Sequence, residues 1–270
     1  MSFSMGPALL FCPADRPDRY EKAAARADAV ILDLEDAVAP ADKPAARDAV
    51  LRHPLDPDRT IVRVNGGSSG AFEADLELLA QTAYRTVMLA KAESVEQVAW
   101  LSEYAVIAMC ETARGVLAAP ELAAVHNTVA LAWGAEDLVA TAGGTSSRRV
   151  DGRYRDVARH ARSTVLLAAA AHSRAAIDAV YVDLADLGGL AAEAEDAAAS
   201  GFAASACIHP SQVPVIRQAY RPAAHEVEWA RAVLVAAEGE PGAFRFRDAM
   251  VDAPVLAHAN RILARADAPH

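Results

Sequence analysis

A (β/α)₈ barrel followed by a C-terminal helical extension is the fold this sequence predicts, and three observations predict it. Short β-rich runs recur eight times between residues 8 and 209. Segments of helical composition separate them, which is the alternation of βαβ units and a parallel sheet. The runs are also almost continuously apolar, as parallel strands buried on both faces are. Eight such units fit a closed barrel or a doubly wound open sheet. The count of eight, and the lack of a Gly-x-Gly-x-x-Gly turn after the first run, favour the barrel. A length of 270 residues is normal for one.

The elements follow in order. ALLFC (8–12) is the first strand, with Asp15 ahead of a helix over 16–26. AVILDL (29–34) leads through Asp42 to a helix over 43–52. TIVRVN (60–65) runs into GGSSG (66–70) and a helix over 71–83. TVMLAK (86–91) precedes Ser94 and a helix over 95–103, with Glu96 and Gln97 in its first turn. AVIAMC (105–110) is followed by a helix over 113–125. TVALAWG (128–134) is followed by GGTSS (143–147) and a helix over 153–174. AVYVDL (179–184) and ASACIH (204–209) close the series, with helices over 186–199 and 211–219. Asp15, Asp42 and Ser94 are the expected N-caps, since short polar side chains satisfy the first amides of a helix. After Pro222 the rhythm breaks into a helix over 224–237, a loop through Gly239 and Gly242, and a last helix over 253–265. A catalytic barrel is therefore expected over 1–222 and an extension over 223–270.

Composition excludes several classes. Hydrophobic residues make up 53% of the chain, enough for a sizeable core. The net charge of -10 leaves no basic face for nucleic acid. The cluster Arg148, Arg149, Arg153 and Arg155 is too short and too diluted by acids to change that. No apolar run reaches the roughly 18 residues of a membrane span. The start, MSFSMGPALLF, lacks the basic and long apolar regions of a signal peptide. Cys12, Cys110 and Cys207 lie far apart in apolar runs. They read as buried thiols in a reducing cytoplasm, and neither as a disulfide framework nor as a zinc site.

In a barrel the chemistry sits at the C-terminal ends of the strands. There this sequence places Asp15, Arg16 and Arg19, then Glu35 and Asp36 at the end of VILDLEDAV, where Asp33 stands just before them. Arg63 and Asn65, Lys91 and Glu93, Glu111, Glu136 and Asp137, Asp183 and His209 follow from the later strands. One carboxylate after a strand is often only a helix cap. Capping does not call for Arg63 and Lys91 on the same rim. Gathered carboxylates repel unless positive charge sits among them. Arginine and lysine supply part of it, and a hard divalent cation fits the rest. Magnesium takes oxygen ligands, often only one or two protein carboxylates with water and substrate completing the shell. The two glycine-rich loops read as mobile surface loops, or as backbone that lines an anion or covers the site. Neither is a P-loop, since the lysine is missing.

LFCPADRP, VILDLEDAV, RVNGG, CETARG, WGAEDL, CIHPSQ and MVDAPV occur in that order over nearly the whole chain. In this the sequence resembles the citrate lyase beta-subunit-like proteins, of the HpcH/HpaI aldolase group that includes malyl-CoA and citramalyl-CoA lyases. The resemblance implies a (β/α)₈ barrel, a magnesium ion, and cleavage or formation of a carbon–carbon bond next to a thioester. It implies that Glu111 and Asp137 hold the magnesium and that Arg63 binds the keto-acid carboxylate, bidentately. The backbone at Gly134 and Ala135 would lie against the same product. Arg16, Arg19 and Lys22 in the first loop, with Ile208 and His209 in the eighth, would hold coenzyme A as part of the substrate. Asp252 would be the acid/base, delivered by the extension of a neighbouring subunit in a homo-oligomer, with a trimer favoured. Glu35 and Asp36 would orient metal-bound waters and Arg63. Two positions depart from the pattern: Ala14 stands where many relatives have glycine, and Ala90 where a proline often precedes the lysine. Two other readings stay open. One is a pyruvate-type aldolase that needs no coenzyme A, against which the basic first loop argues. The other is a subunit that works only inside a citrate lyase complex with an acyl carrier protein. Retention of Glu111, Asp137 and Asp252 argues against an inactive scaffold.

Overall fold

Eight parallel strands close on themselves in sequence order, β1 pairing with both β2 and β8. The computed structural model describes residues 3–240 and 242–267. The strands are β1 (Ala8–Pro13), β2 (Ala29–Asp33), β3 (Thr60–Val64), β4 (Thr86–Leu89), β5 (Ala105–Cys110), β6 (Thr128–Trp133), β7 (Ala175–Asp178) and β8 (Ala204–Cys207). Around them run α1 (Tyr20–Ala24), α2 (Lys43–Arg52), α3 (Phe72–Leu79), α4 (Val95–Ala99), α5 (Ala113–Leu117) and α6 (Ala119–Ala124). Next come α7 (Ala135–Thr141), α8 (Asp156–Ala171), α9 (Leu187–Ser200) and α10 (Val213–Tyr220). The predicted (β/α)₈ barrel is the observed fold.

Alternation along each strand decides which side chains point inward. The inner set is one packed cluster that includes Leu9, Ile31, Ile61, Met88, Ile107, Ala132, Ile177 and Ala206. Two residues further along β2 and β3 the same inward parity reaches Asp33 and Arg63. From Ile107 it reaches Met109 and then Glu111, and from Ala132 it reaches Gly134. The polar site is thus the last layer of the barrel interior, carried by the same period of two that builds the apolar layers beneath it.

Several element assignments change, and α7 forms where no helix was expected. The seventh strand is Ala175–Asp178, not 179–184. Ser173, in the left-handed region at φ 55°, breaks the chain away from α8, and the small residues Ala175 and Ala176 enter the barrel at once. The β-branched run that suggested a strand instead forms a rim loop, in which the Tyr181 hydroxyl donates to Asp186. Asp183 therefore does not end a strand. It accepts the Ala185 amide on an exposed loop, while Asp178 occupies the strand end. The helix expected over 113–125 is two, α5 and α6, divided at Ala118. The first helix begins only at Tyr20, so Asp15 does not cap it. Asp42 and Ser94 sit at N-cap positions, but neither side chain makes the capping bond.

The chain divides into two compact units, one up to Ile216 and one from Arg217. The second contains α11 (Ala224–Ala236), an antiparallel hairpin of β9 (Phe244–Phe246) and β10 (Ala249–Val251), and α12 (Ala253–Ala266). The hairpin stands where only a loop was expected. This unit has its own core around Ala230, Val233, Val251, Ala259 and Ile262. Among the described residues no helix is long and apolar enough to cross a membrane. The three cysteines are buried and none is in a disulfide.

Candidate active site

A cavity of about 290 Å³ opens at the C-terminal ends of the strands, lined on its polar side by Asp33, Asp36, Arg63, Glu111, Gly134 and Asp137. Its other walls include Phe11, Met88, Met109, Ile177 and Ala206.

Arg63 is fixed before any ligand arrives. Register places it directly opposite Asp33 on the neighbouring strand. Its Nε donates to Asp33 Oδ1 at 2.7 Å and its Nη2 to Oδ2 at 2.6 Å, a bidentate pair. Nη1 lies 3.2 Å from Glu35 Oε2, and the guanidinium sits 4.9 Å over the Phe11 ring. Burial alone would lower the Arg63 pKa, but the Asp33 bonds and charge hold it above its ordinary value. The fork expected to grip a keto acid is thus occupied by Asp33. What remains for a ligand is the other edge, where Nη2 has a second hydrogen and Nη1 already faces Glu35 and lies 4.0 Å from Met109 Sδ. Asp33 also accepts the amides of Glu35 at 2.9 Å and Ala37 at 3.1 Å, so it sets the turn that follows β2.

Glu111 is fully buried. Its Oε1 accepts the Lys91 main-chain amide at 2.9 Å, and its Oε2 has no partner. Burial pushes its pKa up to about 8, opposed by Arg63 and assisted by the negative charge of Asp137. A buried carboxylate oxygen facing a cavity without a partner is costly unless a cation meets it. Gly134 makes room beside it. A Cβ at that position would lie 3.0 Å from both Glu111 Cβ and Glu111 Oε2. Asp137, in the first turn of α7, lines the same cavity. Among the described residues no three His, Cys, Asp or Glu side chains form a metal cage. Two hard carboxylates with an unpartnered oxygen are the donor set magnesium accepts, since it keeps several waters, and the residues present fit it.

Lys91 joins these groups. It is one of three non-glycine residues described with positive φ, at 49°. Its ammonium contacts Glu35 Oε1, lies 3.1 Å from Asp36 Oδ2 and 3.6 Å from Asp137 Oδ1. Partial burial pulls its pKa down, but Glu35, Glu111 and Asp36 together raise it above the ordinary lysine value.

The other candidates lie elsewhere. Arg16, Arg19 and Lys22 are exposed on the turn and helix after β1, outside the cavity wall, and Arg16 pairs with Asp18 at 3.3 Å. Ile208 lines the cavity, whereas His209 is exposed and caps the turn that begins at Pro210. Ala135 lines the cavity with Gly134. Asn65 is a latch that binds Lys43, Leu34 and Asp75, and Glu93 accepts from Thr112 at 2.7 Å. Glu136 takes the Ser147 hydroxyl at 2.6 Å and ties down the GGTSS loop. In GGSSG the glycines permit close packing: a Cβ on Gly66 would meet Ala90 O at 3.1 Å. Asp252 belongs to the second unit and caps α12, accepting the Val255 amide at 3.3 Å. Two features were not read from the sequence. Asp33 has no expected role in the sequence, although its inward parity with Ile31 assigns it one opposite Arg63. The Trp133 indole donates to Asp178 at 2.6 Å, and Arg162 forks the same carboxylate. That buried set is a structural brace of the wall.

A (β/α)₈ barrel with a clamped arginine, an unpartnered buried glutamate and a nearby aspartate at one rim is the class that fold and site define. The chain belongs to the HpcH/HpaI aldolase/citrate lyase family, which matches residues 8–210. It is 61% identical over 261 residues to the citrate lyase subunit beta-like protein of Mycobacterium tuberculosis, covering 97% of this chain and 96% of that one. It is 31% identical over 294 residues to the mitochondrial citramalyl-CoA lyase of Homo sapiens, covering 96% and 85%. The crystal structure of protein CitE from Mycobacterium tuberculosis in complex with magnesium, acetoacetate and coenzyme A superposes with a TM-score of 0.92 at 60% identity. It covers 97% of this chain and 98% of that one.

Proposed function

We propose that this protein is a magnesium-dependent carbon–carbon lyase that splits a 3-hydroxyacyl-CoA into an acetyl-CoA-type thioester and a keto acid, or runs the reverse. The observation that carries the reading is the unpartnered Oε2 of Glu111 in a cavity it shares with Asp137 and the clamped Arg63. The relatives, a citramalyl-CoA lyase and a CitE structure with magnesium, acetoacetate and coenzyme A, support it.

In the cleavage direction the 3-hydroxyl loses its proton, its oxygen becomes the keto oxygen and the bond between carbons 2 and 3 breaks. The electron pair passes to carbon 2 as the thioester enolate, which then takes up a proton. Magnesium held by Glu111 and Asp137 would supply Lewis-acid polarisation of that oxygen. Arg63 offers the free edge of its guanidinium to the keto-acid carboxylate, and Asp33 and Glu35 keep it aimed. The main chain at Gly134 and Ala135 lies against the same product. Arg16, Arg19, Lys22, Ile208 and His209 face the coenzyme A portion, whose phosphates match the three cations. Asp252 protonates the enolate carbon. It comes from a neighbouring subunit of a homo-oligomer, a trimer, working in the cytoplasm. A barrel over 1–222 with an extension over 223–270 suits that division of labour.

The test is the purified chain alone, with magnesium, against citryl-, malyl-, citramalyl- and 3-hydroxy-3-methylglutaryl-CoA and the matching free acids. Cleavage of a thioester, lost on chelation and lowered by about 10² or more in Glu111→Gln, is the expected result. Undiminished activity after chelation, or equal cleavage of the free acids, overturns the reading.

A further inference from the structure

Lys91 touches every acid on the metal side of the site. Its amide holds Oε1 of Glu111, and its ammonium meets Glu35, Asp36 and Asp137. The position is conformationally costly. At φ 49° the backbone is in the left-handed region, which a lysine enters against its Cβ and a glycine enters freely. The strained turn achieves two things at once. It aims the amide at one oxygen of Glu111, which leaves the other free, and it sends the side chain across the mouth to two carboxylates of the turn after β2 and one in the first turn of α7. Gly66, whose added Cβ would meet Lys91 Cβ at 3.5 Å and Ala90 O at 3.1 Å, lets the β3 loop close on that turn.

The geometry points to Lys91 as a positioning residue: a built-in counter-cation that keeps the carboxylate rim assembled without metal and competes with magnesium for Asp137. This rests on the assignment of magnesium to Glu111 and Asp137. Four acids on one rim repel one another, and a single ammonium among them offsets that repulsion. The same ammonium lies 3.6 Å from a proposed metal ligand. An arriving divalent cation must displace it toward Glu35 and Asp36 or bind against its charge. The two effects have opposite signs. The lysine stabilises the metal-free protein and weakens its hold on magnesium. A lysine that only packed would not separate them.

Removal of the charge therefore moves two measurements in opposite directions. In Lys91→Met, melting in chelator should begin at a lower temperature than in the wild type. Calorimetric titration with magnesium chloride should show affinity tightened by tenfold or more, and added sodium chloride should shrink the difference. Lys91→Arg, which keeps the charge, should restore both values. Lys91→Gln, polar and nearly as long, carries the same test should Lys91→Met not fold. Magnesium affinity that is unchanged or weaker in folded Lys91→Met or Lys91→Gln overturns the proposal while the metal assignment stands. A wild type that binds no magnesium overturns the metal assignment and this proposal with it.

Discussion

Asp33 is the residue whose loss the structure prices most clearly. Asp33→Asn keeps the shape but removes the charge that faces Arg63, and only one oxygen remains to accept. At present the carboxylate takes two guanidinium bonds at 2.7 and 2.6 Å and two amides, at 2.9 and 3.1 Å. In either orientation the asparagine NH2 then faces one guanidinium N–H and one main-chain N–H, donor against donor. Breaking a buried ion pair costs about 3–5 kcal/mol, because the surviving charge is left in the interior. Glu35, 3.2 Å from Nη1, still offsets part of that charge, which places the loss near about 3 kcal/mol. For a chain of this size that lowers the melting temperature by about 6–12 °C. The two units need not unfold together, so the barrel should be followed by itself. Trp100 and Trp133 lie in the barrel and Trp229 in the second unit, so fluorescence in a Trp229→Phe background reports the barrel. Asp36→Asn is the control, since a largely exposed acid paired with lysine contributes about 0–1 kcal/mol. A loss below about 1 kcal/mol for Asp33→Asn would refute the claim that Arg63 depends on this clamp.

Other consequences can be measured separately. Gly134→Ala should fold at a cost of about 1–3 kcal/mol yet bind magnesium at least about tenfold more weakly, because its Cβ meets Oε2 of Glu111; unchanged affinity in calorimetry speaks against the site. Glu111 has its pKa raised by burial to about 8, so below that pH the metal-free protein holds a proton there that magnesium must expel. Magnesium affinity should rise with pH by about a decade per unit between about pH 6 and 8 and then level off, and a flat profile would contradict this. The same sign makes the metal-free protein less stable as pH climbs from the ordinary carboxylate value of 4.5 toward 8, since the folded state binds the extra proton. Asp252→Asn keeps an acceptor for the Val255 amide, so α12 should survive while turnover is lost. Co-refolding it with Glu111→Gln should restore partial activity if Asp252 acts across a subunit interface, and mixed oligomers that stay inactive would place it elsewhere.

The barrel was legible because parallel strands buried on both faces leave an apolar run that no other element imitates at that spacing. The seventh strand was misread for a physical reason. Val180, Tyr181 and Val182 have the composition of a strand, while Ala175, Ala176 and Ile177 have that of a helix end. What decides the matter is the left-handed turn at Ser173, which propensity does not reveal. The cavity gathered Asp36, Arg63, Glu111, Gly134, Ala135, Asp137 and Ile208 from the sequence-derived set, because all lie at or within a few residues of strand ends. It did not gather Arg16, Arg19, Lys22 or His209, which are exposed after β1 and β8, where Arg16 pairs with Asp18 and His209 with Ser211 instead. The clamp on Arg63 was hidden because it depends on strand register, and register is a relation between distant residues.

The three acids of VILDLEDAV show how such a relation assigns roles within one turn. Asp33 continues the inward parity of Ile31 and meets Arg63 across the register. Leu34 points the other way and is buried. Glu35 returns to the inner side one step higher, where it reaches Arg63 with one oxygen and Lys91 with the other. Asp36 turns outward at the rim and holds the same lysine from the solvent side. Three carboxylates within four residues would repel one another in any isolated peptide. Here they share two cations, Arg63 of β3 and Lys91 just past β4, so the charge run is stable only once β2, β3 and β4 are side by side. The acids do not form a ligand cage of their own. They fix two cations, Arg63 in the cavity wall and Lys91 beside Glu111 and Asp137, and a change at any of the three should be felt at Arg63 or Lys91 before it is felt at Glu111.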